Sequence, residues 1–170
     1  DYGADVAAAN EEGSTALMVA AQWGDVAVAK VLLHHGADVA AVSKHGWTAL
    51  MVAAKCGHVA VAKLLLDYGV DVAAANKEGR TALMASALGG HVAVTQLLLE
   101  NGADVAAAAR NGVTALIYAA IGGSEAVTKL LLNYGADAAA ANKEGRTALM
   151  FAFQCGHVAV AKLLVERGAS

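Results

Sequence analysis

Apolar residues along this chain fall into two kinds of short run that alternate from end to end. One kind follows a threonine: Thr15, Thr48, Thr81, Thr114 and Thr147 each precede Ala-Leu-Met or Ala-Leu-Ile. The other is the leucine-rich stretch typified by Val59–Leu66, VAVAKLLL, which ends at a glycine. Thr accepts a backbone N–H readily at a helix start, and Ala, Leu and Met favour the helical interior, so each Thr predicts a helix A. Glycines at 24, 57, 90, 123 and 156 supply left-handed ends for those helices, and Asp25 and Ser124 beside them are suited to cap a following helix B. Helix B stops at the next glycine, after which A-D-V-A-A and a polar N-K-E-G turn lead to the following Thr, predicting a hairpin-like finger.

The alternation is periodic. Glycines 3, 36, 69, 102, 135 and 168 are spaced by 33 residues, and the aspartates 5, 38, 71, 104 and 137 keep the same interval. A fixed period of this length marks an array of supersecondary units, none of which buries its apolar face alone. The units span 5–37, 38–70, 71–103, 104–136 and 137–169, with 1–4 as the tail of a preceding one.

The pattern D-x7-G-x-T-x-L with three glycines and helix B leucines, in register five times with Val165 replacing one leucine of the last unit, resembles the ankyrin-repeat family over essentially all of the chain. The resemblance implies a single all-α ankyrin-repeat domain over 1–170, a solenoid of helix-turn-helix units joined by β-hairpin-like fingers. It further implies helices A and fingers on a concave face and helices B on the convex back. Departures are systematic: the family's Pro after Thr is Ala at 16, 49, 82, 115 and 148, and its following His is Met18, Met51, Met84, Ile117 or Met150. Without that polar link, stability must lean on apolar packing.

Composition narrows the function classes. Alanine is about a quarter of the chain, which accounts for the 58% hydrophobic content without invoking a membrane. No uninterrupted apolar stretch of about 18 residues occurs, so neither a spanning helix nor a membrane partner is expected. A net charge of −3, with Glu78 and Glu144 set between the finger cations, argues against nucleic acid. Cys56 and Cys155 stand in one column three units apart, too far for a disulfide, and are expected as free thiols suited to a reducing cytoplasm or nucleus. His58, His91 and His157 open helices B and read as packing residues, whereas His34, His35 and His45 flank one finger without forming an expected metal site. No nucleophile with an adjacent base stands out, so neither an enzyme nor a cofactor is expected.

In a solenoid the stacking columns stay constant and partner-reading columns vary. The family resemblance places the residue after each second glycine, and the last positions of helix A, on the concave side. Trp23, Trp47, Leu88, Val113 and Ile121 in those columns form an apolar track, with Arg80 and Arg146 beside it. Tryptophan there serves either as an exposed anchor or as filler between finger and helix. Tyr118 and Phe151 fall in a helix A column that reads as core first and binding second. The expected function is a non-catalytic module that binds another protein on this surface. The alternative is a structural or engineered consensus-like scaffold without an evolved ligand, suggested by AANKEGRTALM occurring at both 74–84 and 140–150, although the fourth unit diverges from the rest. The last helix repeats the internal pattern without added charge. That predicts either a piece of a longer array or end-to-end self-association burying Val158, Ala161 and Leu164.

Overall fold

The computed structural model describes residues 5–168, so the expected tail at 1–4 lies outside the described residues. Ten helices form in five pairs: α1 (Ala16–Trp23) with α2 (Val26–His34), α3 (Ala49–Cys56) with α4 (Val59–Asp67), α5 (Ala82–Leu88) with α6 (Val92–Glu100), α7 (Ala115–Gly122) with α8 (Glu125–Asn133), and α9 (Ala148–Gln154) with α10 (Val158–Glu166). Odd-numbered helices pack on one another in sequence order, as do even-numbered ones, giving two helical layers. The chain is an all-α solenoid, as its pattern predicts.

The helix starts follow the predicted chemistry. The hydroxyls of Thr15, Thr48, Thr81 and Thr114 accept the backbone N–H three residues on, at 3.2–3.4 Å. Thr147 departs: its Oγ1 is buried and has no partner. Asp25 and Ser124 cap α2 and α8 through the N–H groups of Val28 and Val127. The three histidines at the same position cap nothing. Each instead spans to the preceding unit, where Nε2–H of His58, His91 and His157 donates to the carbonyls of Gln22, Lys55 and Ile121 at 2.9–3.0 Å.

The core runs along the stack through one leucine and one methionine or isoleucine of each of the first four helices A and, from α4 to α10, a Val-Ala/Thr-x-x-Leu stripe of each helix B. Met51, Met84 and Ile117, standing where the family resemblance expects a polar link, are essentially fully buried. Apolar packing replaces that link. Buried hydroxyls at Ser86 and Thr95 meet at 3.0 Å across α5 and α6, a polar pair inside an otherwise apolar layer.

The fingers are hairpin-like, with single antiparallel bridges at Ala9–Thr15, Ala75–Thr81, Ala108–Thr114 and Ala141–Thr147. Asn76 Oδ1 accepts from the N–H groups of Glu78 and Arg80, closing the turn that Gly79 completes at φ +76°. Neighbouring tips are joined by one backbone bond each: Lys44 to Glu12, Lys77 to His45, Arg110 to Glu78 and Lys143 to Asn111, at 2.8–3.0 Å.

The end-face expectation needs correction. Ala161 and Leu164 already lie in the core, because α10 packs them against α8 and α9. The open apolar side chains there are Phe153, Val158 and Val165, around a groove of about 450 Å³. At the other end Val28 is 45% exposed, whereas its counterparts Val61, Val94, Val127 and Val160 are fully buried.

Candidate partner-binding surface

Finger and helix A meet through a recurring pairing of a cation with an aromatic ring. Lys55 Nζ stands 5.5 Å from the Trp47 ring within the second unit. The Arg80 guanidinium lies 5.5 Å from the Tyr118 ring, reaching from the third finger to α7. The Arg146 guanidinium sits 4.0 Å over Phe151 and also donates to the Gln154 side chain. A cation held over a ring face gains from the ring quadrupole while its remaining N–H donors stay free for a ligand.

Between the second and third fingers the first two of these pairs border a pocket of about 180 Å³, lined by Trp47, Lys55, Arg80, Met84, Ala85, Leu88 and Tyr118. That volume suits one ligand side chain. Met84 and Tyr118 are buried beneath it, whereas Leu88 is 41% exposed and Trp47 half-buried. Burial pushes the Tyr118 phenol above its ordinary pKa, against the opposing charge of Arg80, so the hydroxyl keeps its proton at neutral pH. Beside this pocket a second hollow of about 380 Å³ opens between the third and fourth finger tips, among Lys77, Glu78, Arg80, Arg110 and Asn111.

The structure therefore brings together Trp47, Arg80 and Leu88, three of the residues read from sequence. Ile121 is half-buried one unit along, and Arg146 extends the row at the fifth finger. Two residues depart from expectation. Val113 is 5% exposed and belongs to the core. The fourth finger has Ala109 where the third has Asn76, its turn is capped by Asn111 instead, and the apolar pair Ala109 and Val113 folds inward.

Trp23 is exposed but absent from the pocket wall. Its column continues as Cys56, Gly89, Gly122 and Cys155, and a Cβ added at Gly122 would overlap the Leu88 carbonyl of the preceding unit. The column thus points along the stack, so Trp23 stands at its first-unit end and the apolar track is shorter than predicted. Lys55 and Tyr118 are the functional candidates that the reading by columns passed over or assigned to the core. Their lysine-on-Trp and Arg-on-Tyr contacts were the missing signal, and the second of these joins two units.

Elsewhere, His45 lies 3.6 Å from Glu12, and His34 and His35 stack edge to face at 5.5 Å, so the three do not converge. Cys56 is half-buried and Cys155 exposed, both free. Among the described residues no helix is long and apolar enough to cross a membrane.

Comparison with known proteins identifies the array. A family model described as ankyrin repeats (3 copies) matches residues 40–109 and 106–170, and one described as ankyrin repeat matches residues 12–44. A search of curated proteins gives no match. Ankyrin repeats are in general protein–protein interaction modules and typically non-catalytic. With matches running from residue 12 to residue 170, and with three glycines, a Thr at the start of helix A and paired helices in each period, this chain belongs to the ankyrin-repeat family.

Proposed function

We propose that the five units act as one domain that binds a protein partner, without catalysis, on the face shared by the fingers and helices A. The observation that carries this reading is the pocket between the second and third fingers, where an apolar floor, a tryptophan and two cations converge. Hot spots favour Trp, Tyr and Arg set in preformed hollows, and all three residue types line or border this one. Arg146 and Ile121 extend the surface toward the fifth unit.

The test compares capture by the wild-type protein with capture by W47A and L88A. A partner held by the wild type should be lost or weakened about 30-fold or more in the variants, the scale of a hot-spot truncation. Undiminished capture by both variants, with their folds intact, overturns the reading.

A second reading, end-to-end association, is favoured by Phe153 at 67% exposure and Val158 at 64%, facing out from one end while Trp23 and Val28 face out from the other. Light scattering should show mass rising with concentration, and F153A with V158A should abolish the rise. A strict monomer at high micromolar concentration removes this reading.

A further inference from the structure

Charge is divided unevenly over this molecule. The chain carries 12 Lys and Arg against 15 Asp and Glu, yet the tips of fingers two to five and the adjoining last turns of helices A reverse that balance. Tips two to five present Lys44, Lys77, Arg110 and Lys143. Beside the tips, Lys55, Arg80 and Arg146 bring the cations to seven, against Glu78 and Glu144 at the tips themselves; Asp38, Asp71, Asp104 and Asp137 stand further back, where each finger leaves helix B, and accept the N–H two residues on. The first finger is opposite in sign, with Glu11 and Glu12 at its tip and no cation. The tip-to-tip backbone bonds hold these charges in one row, and the hollow among Lys77, Arg80 and Arg110 lies in it.

We propose that the partner of the surface described above is an acidic, extended peptide segment: carboxylates opposite fingers two to five and one apolar side chain in the Trp47–Tyr118 pocket. This rests on the finger-side face being the binding face. The row's spacing sets the ligand's periodicity. Packed helices lie about 8–10 Å apart and an extended chain rises about 3.3 Å per residue, so successive fingers meet every third ligand residue. Adjacent cations stand about one screening length apart at 0.1 M salt, so each finger reads its own carboxylate. Polarity follows as well, because Glu11 and Glu12 repel acid at the first finger and direct the ligand's neutral or basic end there.

Glu78 now has a specific part. Its carboxylate holds Arg80 at 2.9 Å, with both side chains substantially exposed. It engages Arg80 Nε and offsets the charge that an incoming carboxylate would meet, so the ligand binds in competition with it.

The experiment sorts a surface-displayed library of random peptides, about 12 residues long to span four fingers at this rise, on the labelled protein. The best binder is then synthesised and titrated against wild type, R110E, R80E, E78Q and W47A, with circular dichroism to check each fold. The expected winners are enriched in Asp and Glu at three-residue spacing, with one Leu, Met or aromatic residue. R80E and R110E should weaken the binder about tenfold or more, the scale of a like-charge juxtaposition, and raised salt should weaken the wild-type complex. E78Q should strengthen it about threefold, the scale of an exposed ion pair released. Neutral or basic winners that still lose affinity in W47A overturn the acidic assignment and leave the binding face standing. Winners indifferent to W47A, R80E and R110E alike overturn both. An empty selection, or single-stranded DNA of the same length binding more tightly than the acidic winner, also overturns the proposal.

Discussion

The segment AANKEGRTALM appears at 74–84 and again at 140–150, and the two copies have different fates. Met84 is 1% exposed and Met150 49%. Thr81 Oγ1 accepts the Met84 N–H, whereas Thr147 Oγ1 is buried without a partner. Arg80 stacks on Tyr118 of the following unit, whereas Arg146 turns back to Phe151 of its own. Eleven identical residues thus yield two environments, because the fourth unit covers the first copy and no unit within 5–168 covers the second. In a solenoid, burial belongs to a junction and not to a sequence.

The largest test of this contrast exchanges the two methionines for alanine. Met84→Ala should cost about 2–5 kcal/mol in urea unfolding, as a buried large-to-small change does, and Met150→Ala within about 0.5 kcal/mol. Equal costs would break the comparison. A second pair separates backbone strain from crowding. Gly79 and Gly145 both have positive φ, but a Cβ at Gly79 would sit 2.9 Å from the Arg110 backbone nitrogen, whereas one at Gly145 meets nothing within 4 Å. Gly145→Ala should therefore cost about 1–2 kcal/mol, the left-handed penalty alone, with Gly79→Ala costing more by about 1 kcal/mol. The smallest pair concerns the caps: Thr81→Val should lose about 1 kcal/mol, while Thr147→Val should be neutral or stabilising, since it removes a buried hydroxyl that bonds nothing. Thermal melts of the two variants read the difference.

What the sequence made legible was whatever one unit decides for itself. Helix starts at Thr, left-handed glycines, the caps at Asp25 and Ser124 and the stacking leucines depend on neighbours a few residues away, and they form as read. The histidines opening helices B were read correctly as packing residues, although their carbonyl partners lie 36 positions back. Trp23 and Trp47 looked alike because both sit in variable columns, but one column points along the stack, whereas Trp47 lines the pocket between the second and third fingers. Val113 was misread because a short apolar side chain stands there where other fingers carry Trp47, Arg80 and Arg146, and it packs into the core while they stay half-buried. The Arg80–Tyr118 contact needs the angle between two units, which no single period encodes.

The bonds between units have a direction. At every finger junction the later unit supplies the N–H and the earlier one the carbonyl, and the histidine bridges run the same way. Each unit is therefore a coupling with a plug on one side and a socket on the other. Duplication of a whole 33-residue segment inserts a new link without leaving any junction group orphaned, whereas a duplication cut to another length would break the register. The fourth unit is a weaker link in this sense: Ser124 stands where a bridging histidine would, so a copy of it would carry the finger bond forward and nothing from helix B. Lengthening such a chain by genetic accident favours units of the histidine type, and they outnumber the alternatives here.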